Sequence, residues 1–231
     1  SYLGSSFTSI DGKVPLPDGT DQNSPKGYHW ANRERHYWRC QTEYIPNSHG
    51  LSRMGLVERF GKTNPDFFSL LPNGQRDISL DHNSGHLCLL NKGLEDEVTL
   101  DCLSYLKGEP PTVRNMYQER FKTAVWNLGA FQPGYVNIMP QDGFGERTRC
   151  RCPKCEEFFR TNGSYSDYVF GFVSRIADRV KASGVKGTVT TMAYSAYIDV
   201  PKIALPDNVL LQIAPMGPWV EKYTDKQAKD N

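Results

Sequence analysis

Apolar residues return at the helical period over 165–183, where Tyr168, Val169, Phe172, Val173, Ile176, Ala177 and Val180 fall on one stripe. Ser164 or Ser166 can cap this helix, and Gly184 stands where a C′ glycine ends one. A second helix is predicted over 94–107. Its first turn carries Glu95, Asp96 and Glu97, its stripe Leu94, Val98, Cys102, Leu103 and Leu106, and Lys107-Gly108 close it. A third is predicted over 116–128, with Met116, Phe121, Val125 and Leu128 facing inward. Residues 135–140 form a short strand. The runs 188–193 and 209–214 are almost unbroken in small or branched residues, the pattern of strands buried on both faces of a parallel sheet. Strand, long loop, helix, strand, loop, strand is a βαβ order.

Between these elements the pattern is polar and rich in turn formers. Residues 1–27 read as a loop or the tail of an upstream element, and 28–45 as an aromatic- and Arg-rich strand followed by an ordered loop. Residues 46–85 form an extended loop of the kind that more often serves function than filling. Residues 141–163 form a second long loop with few apolar positions, and 219–231 are a charged tail.

Composition narrows the function classes. The chain has 231 residues, and 27 Lys and Arg against 26 Asp and Glu leave a formal net charge of +1. That balance argues against binding nucleic acid or an anionic membrane through global charge. No stretch approaches the roughly 20 apolar residues of a membrane span. The length suffices for one large domain with a sizeable core, or at most two small ones. Ser1 in place of an initiator Met suggests a processed chain or a piece of a longer one.

In parallel α/β sheets reactive groups lie on loops leaving the C-terminal ends of strands. After 135–140 comes Asp142 with Gly143 behind it, a carboxylate able to act as acid or base or to orient a polar group. On spacing alone, an Asp-Gly turn with a solvated acid is the preferred reading. After 188–193 comes Tyr194, a phenol able to hydrogen-bond an oxyanion or a sugar substituent. In the long loop, His49 beside Gly50 can meet a substrate hydroxyl. His82 and His86 are four apart, but Asn83-Ser84-Gly85 between them favours a turn over a helical metal site.

Cys150, Cys152 and Cys155 make a C-x-C-x-x-C motif. Such turns aim thiolates at one Zn²⁺, with Cys88 as the expected fourth ligand and His86 as its substitute. A metal or a bridge would replace the core that loop 141–163 lacks. Disulfides are the other reading, six cysteines allowing 15 connectivities; redox chemistry ranks below both. Arg147, Arg149, Arg151, Lys154 and Arg160 surround the motif. They read as a solvated basic face, with a zinc-knuckle nucleic-acid binder as a distant third function.

Several segments, taken in order, resemble one family. They are Trp30-Ala31-Asn32-Arg33, the Ser48-His49-Gly50 loop, the Asn64-to-Arg76 stretch, His86-Leu87-Cys88, Met139-Pro140-Gln141-Asp142-Gly143 with the cysteines that follow, Ala193-Tyr194-Ser195 and Leu205-Pro206-Asp207-Asn208-Val209. Together they look like the bacterial "domain of unknown function 4838" proteins, part of which is similar to glycoside hydrolase family 163, endo-β-N-acetylglucosaminidases. The family presents Gly-His-Ser where this chain has Ser48-His49-Gly50, so His49 alone carries over there.

The resemblance implies an α/β, TIM-barrel-like (β/α)₈ glycoside hydrolase fold over about 28–218, a partial barrel in this chain, with the remaining C-terminal barrel portion in a parent chain. It implies a glycan substrate, no nucleic-acid partner, no catalytic cofactor, and a secreted, periplasmic or cell-surface parent. In that frame Asp142 and Tyr194 are catalytic, and His49, Arg33 and Trp30 hold the sugar. Cys88, Cys150, Cys152 and Cys155 form a structural zinc site or disulfides. A non-catalytic carbohydrate-binding module is the alternative function.

Overall fold

The computed structural model of the chain describes residues 45–81, 84–119, 121–161 and 163–214. The chain divides into two units, Ser1–Ile45 and Pro46–Asn231, and the elements below belong to the second. The predictions for Trp30, Arg33, His82, residues 1–27, most of the strand at 28–45 and the tail 219–231 fall outside the described residues.

The strongest periodicity produces the longest helix. Helix α4 (Tyr165–Ala182) starts at Ser164, whose hydroxyl accepts the Asp167 N–H at 3.0 Å. It ends before Gly184, which adopts the left-handed φ of 75° that a helix terminus needs. Its stripe is buried along its whole length. Helix α2 (Lys92–Leu106) is capped by Asn91, which accepts the Leu94 N–H at 3.0 Å. The two helices pack together, and Glu95 of α2 reaches Arg175 at 2.6 Å and Arg179 at 3.4 Å on α4. Helix α4 has 18 residues, but no helix among the described residues is long and apolar enough to cross a membrane.

The main sheet has four strands among the described residues, lying side by side in chain order. Strands β3 (Phe131–Gln132) and β4 (Tyr135–Asn137) form an antiparallel hairpin. Strands β4, β5 (Thr188–Tyr194) and β6 (Val209–Ala214) are parallel, with Val136 beside Val189 and Thr190 beside Leu210. Helix α4 is therefore part of the crossover from β4 to β5, the predicted βαβ order. One face of the sheet gives Val136, Ile138, Val189 and Ala193 to the apolar core that α4 shares. The other carries Asn137, Thr190 and Gln212, and the segment from Pro46 lies against it. The Thr190 hydroxyl donates to the Pro46 carbonyl, and Asn47 hydrogen-bonds Gln212. Gly50 is pressed so closely to β4 that a Cβ there would fall 2.0 Å from the Asn137 carbonyl oxygen.

Three predictions about elements are corrected. Residues 116–128 are not a helix: β1 (Tyr117–Gln118) and β2 (Thr123–Ala124) form a small antiparallel hairpin. Its turn places Lys122 at a φ of 53°, and Phe121 and Leu128 are 46% and 68% exposed rather than buried as an inner helix face would be. The helical spacing of four apolar residues was coincidental. Strand β6 is not buried on both faces among the described residues, since Leu210 and Ile213 are exposed. The two long loops are also more ordered than expected. The first contains α1 (Leu56–Phe60), and the second contains α3 (Pro153–Thr161), started by Pro153.

Candidate functional site

The C-terminal end of β4 leads through Met139 and Pro140 to Asp142. His49 approaches from the other segment, in the left-handed conformation (φ 49°, ψ 42°) at the start of the 3₁₀ turn Gly50–Arg53. Its Nδ1 lies 3.2 Å from the Pro140 carbonyl. A carbonyl only accepts, so that nitrogen carries a proton. Nε2 then faces Asp142 Oδ2 at 4.0 Å. That gap is too long for a direct hydrogen bond, and both facing atoms are acceptors, so it suits two donor groups, one for each. Both side chains are partly open to solvent. Asp142 also forms the Asp-Gly turn expected from spacing: its Oδ1 accepts the Gly143 N–H at 2.9 Å, and Gly143 has a φ of 75°.

Behind Asp142 lies a buried pair. His86 Nε2 is 3.0 Å from the Asp142 carbonyl, and His86 Nδ1 is 2.7 Å from Asp77 Oδ2, which also accepts the His86 backbone N–H at 2.9 Å. Burial pushes the Asp77 carboxyl up, but hydrogen bonds from the His86 ring, the His86 backbone and the Gly85 backbone outweigh it, leaving Asp77 below its usual value. Both ring nitrogens of His86 are thus engaged away from the cysteines, so His86 is not the substitute ligand. Asp77 was not singled out in the sequence, because its pairing leaves no spacing signature.

Tyr194 ends β5, half-buried, with extended backbone (φ −154°) before Ser195, which has a φ of 49°. Beyond it Tyr197 is fully buried. Burial, then Tyr194 and Asp142, pushes its hydroxyl well above the ordinary phenol value. Two non-glycine residues in the left-handed region, His49 and Ser195, flank this end of the sheet, and such conformations persist where the surroundings impose them.

The second cluster is sulfur. Cys150 and Cys152 precede α3 and Cys155 lies in its first turn; Cys88 arrives from the segment that follows the antiparallel bridge between Phe68 and Leu87. The four Sγ atoms lie within 4.8 Å of one another, Cys88 being 3.5 Å from Cys155 and 3.8 Å from Cys152. Such a group can hold a metal ion. The Leu70 and Cys152 N–H groups point at Cys150 Sγ at 3.4 and 3.5 Å. The Tyr168 hydroxyl accepts the Leu89 N–H and lies 3.2 Å from Cys155 Sγ. Crowding splits the thiols. Hydrogen bonds from Cys155 and Cys88 draw Cys150 down to about 2, while Cys150 pushes Cys155 up to about 12 and Cys88 far above its usual value. The five described cysteines, including the separate Cys102 in α2, are free thiols, so the disulfide reading is not realised among them.

Arg149, Arg151 and Arg160 beside the motif are paired. Arg149 meets Glu146 at 3.0 Å and Glu156 at 2.9 Å, and Arg151 meets the same two acids. The Tyr165 hydroxyl, then Arg149 and Arg151, pull the Glu146 carboxyl down to about 2. Arg160 pairs with Glu157.

Residues 134–230 match a family model described as domain of unknown function (DUF4838). The matched stretch contains β4, Asp142, three of the clustered cysteines, α3, α4, β5 and Tyr194, and it supports that family. No curated protein and no solved structure matches the chain.

Proposed function

We propose that this chain carries part of a glycan-hydrolysing site at the C-terminal end of its parallel strands. In this reading β4, α4, β5 and β6 are successive pieces of a (β/α)₈ barrel, whose sites lie at that end. The observation that carries it is the approach of His49 Nε2 to Asp142 Oδ2 across a gap of 4.0 Å, beside the strand that ends in Tyr194. Two acceptors so spaced suit a neighbouring pair of sugar hydroxyls, each donating its proton to one of them.

The substrate class is an N-acetylglucosamine-containing glycan. In substrate-assisted retention the 2-acetamido oxygen attacks C1, one carboxylate orients the acetamide, and a carboxylic acid protonates the leaving oxygen. Asp142 takes the orienting or proton-transfer role, Tyr194 hydrogen-bonds the acetamido oxygen, and His49 holds a hydroxyl. The partner acid belongs to another strand of the barrel. No metal takes part in this chemistry, and the cysteine cluster serves structure.

The test is turnover of a chromogenic N-acetylglucosaminide or an N-glycan by the protein containing this chain. Asp142→Asn lowers kcat by about a hundredfold or more; undiminished turnover refutes the assignment. A second reading, a non-catalytic carbohydrate-binding module, is favoured by the Asp142 Oδ1 bond to Gly143 N–H, which fixes the carboxylate as a binding loop would. Glycan binding without turnover decides for it.

A further inference from the structure

We infer that Cys88, Cys150, Cys152 and Cys155 form a closed four-thiolate site for one zinc ion, tying the segment of Cys88 to the loop that carries Asp142. The inference stands on the sulfur geometry and does not depend on the glycan reading.

Tetrahedral zinc at about 2.3 Å from each sulfur spaces the sulfurs about 3.8 Å apart. Here two of the separations are 3.5 and 3.8 Å, and none exceeds 4.8 Å. Sulfurs this close surround a single ion; a cluster of several irons holds its thiolates further apart. Four soft ligands with no oxygen or nitrogen among them select zinc over magnesium or calcium, and four protein ligands leave no position for substrate. The site is therefore structural. C-x-x-C redox motifs also open helices, as Cys152 and Cys155 do here, but a dithiol accounts for two sulfurs and not for four.

The surroundings suit the charge such a centre carries. Zinc with four thiolates is a dianion, and the Leu70 and Cys152 N–H groups and the Tyr168 hydroxyl are already aimed at its sulfurs. The hydroxyl can donate to Cys155 because its oxygen takes the Leu89 N–H. The Tyr168 ring packs against Phe144, Phe158 and Phe159 with centroids 4.9–6.0 Å away, an apolar wall on that side of the sulfurs. Binding forms four Zn–S bonds, and each thiol proton goes to solvent. No electron is transferred.

Position gives the centre its role. Cys88 is two residues past His86, which holds the Asp142 carbonyl, and Cys150 ends the loop that Asp142 begins. One ion thus fixes both ends of the support beneath Asp142.

The experiment is metal analysis of the whole chain purified under reducing conditions with zinc supplied. The expected result is one zinc and no iron per chain. Cobalt in its place gives the sulfur-to-cobalt charge-transfer and intense visible bands of a tetrahedral four-sulfur site. Tyr168→Phe, which removes an outer hydroxyl, weakens zinc binding by about tenfold, and Cys88→Ser weakens it by more. Cys102→Ser leaves the stoichiometry at one. A chain that retains no zinc, that takes up iron instead, or whose affinity survives Cys88→Ser overturns the inference. Should the serine variants not fold, the cobalt spectrum of the unaltered chain decides it: charge-transfer bands support the site, and their absence overturns it.

Discussion

At the scale of single residues, the site depends on close contacts more than on unusual chemistry. Gly50 is the clearest instance. A methyl group there collides with the carbonyl and side chain of Asn137 at 2.0 and 2.6 Å, and the backbone of β4 cannot yield. Gly50→Ala is expected to cost about 3 kcal/mol, seen as a lower urea midpoint with an unchanged m-value. His49, next to it, shifts with that contact. That Asp142 follows a strand and Tyr194 ends one was legible in the sequence, because short apolar runs mark strands. Asp77 and His86 were not legible as a pair. Their hydrogen bonds span nine residues to each other and 56 to Asp142, and nothing in local pattern encodes contacts of that kind.

Among elements, the α2–α4 pair is the one whose electrostatics can be tested. Burial pushes the Glu95 carboxyl up, but Arg175 and Lys92 outweigh it, so its folded pKa lies below the ordinary value of 4.5. A lowered pKa contributes stability that is complete above about 4.5 and disappears as pH falls through the folded value. Urea midpoints should therefore fall on acidification, and Glu95→Gln should remove part of that fall. At neutral pH the same variant should cost about 2 kcal/mol by loss of charged hydrogen bonds. The long helices and strand β5 were readable because their patterns run over seven to eighteen residues and match real buried faces. The hairpin at β1 and β2 was misread for the converse reason. Four apolar residues met a helical template by accident, and the left-handed Lys122 that breaks it has no marker such as glycine. Helix α3 was hidden because a cysteine-rich loop looked too polar to need one, yet Pro153 at its start was a usable signal.

For the molecule as a whole, the sulfur centre joins segments far apart in sequence. By the loop-closure argument for cross-links, tying residues about 60 apart stabilises the folded chain by about 4 kcal/mol. Removing the ion with a chelator should lower the melting temperature by about 10 °C, and restoring zinc should recover it. The chain-wide part of the fold was the least legible. Composition and charge bound the class, and the matched family model supports 134–230, but the convergence of Cys88 with the later motif was a guess that only three dimensions could check.

That convergence also sets a timetable during translation. Cys88 and Cys155 are 67 residues apart, so at roughly 5–20 residues per second the first thiol leaves the ribosome several seconds before the last. In that interval the nascent polypeptide presents an incomplete set of sulfurs to whatever oxidant or ion surrounds it, and the fourfold cage can close only once its final member has been synthesised.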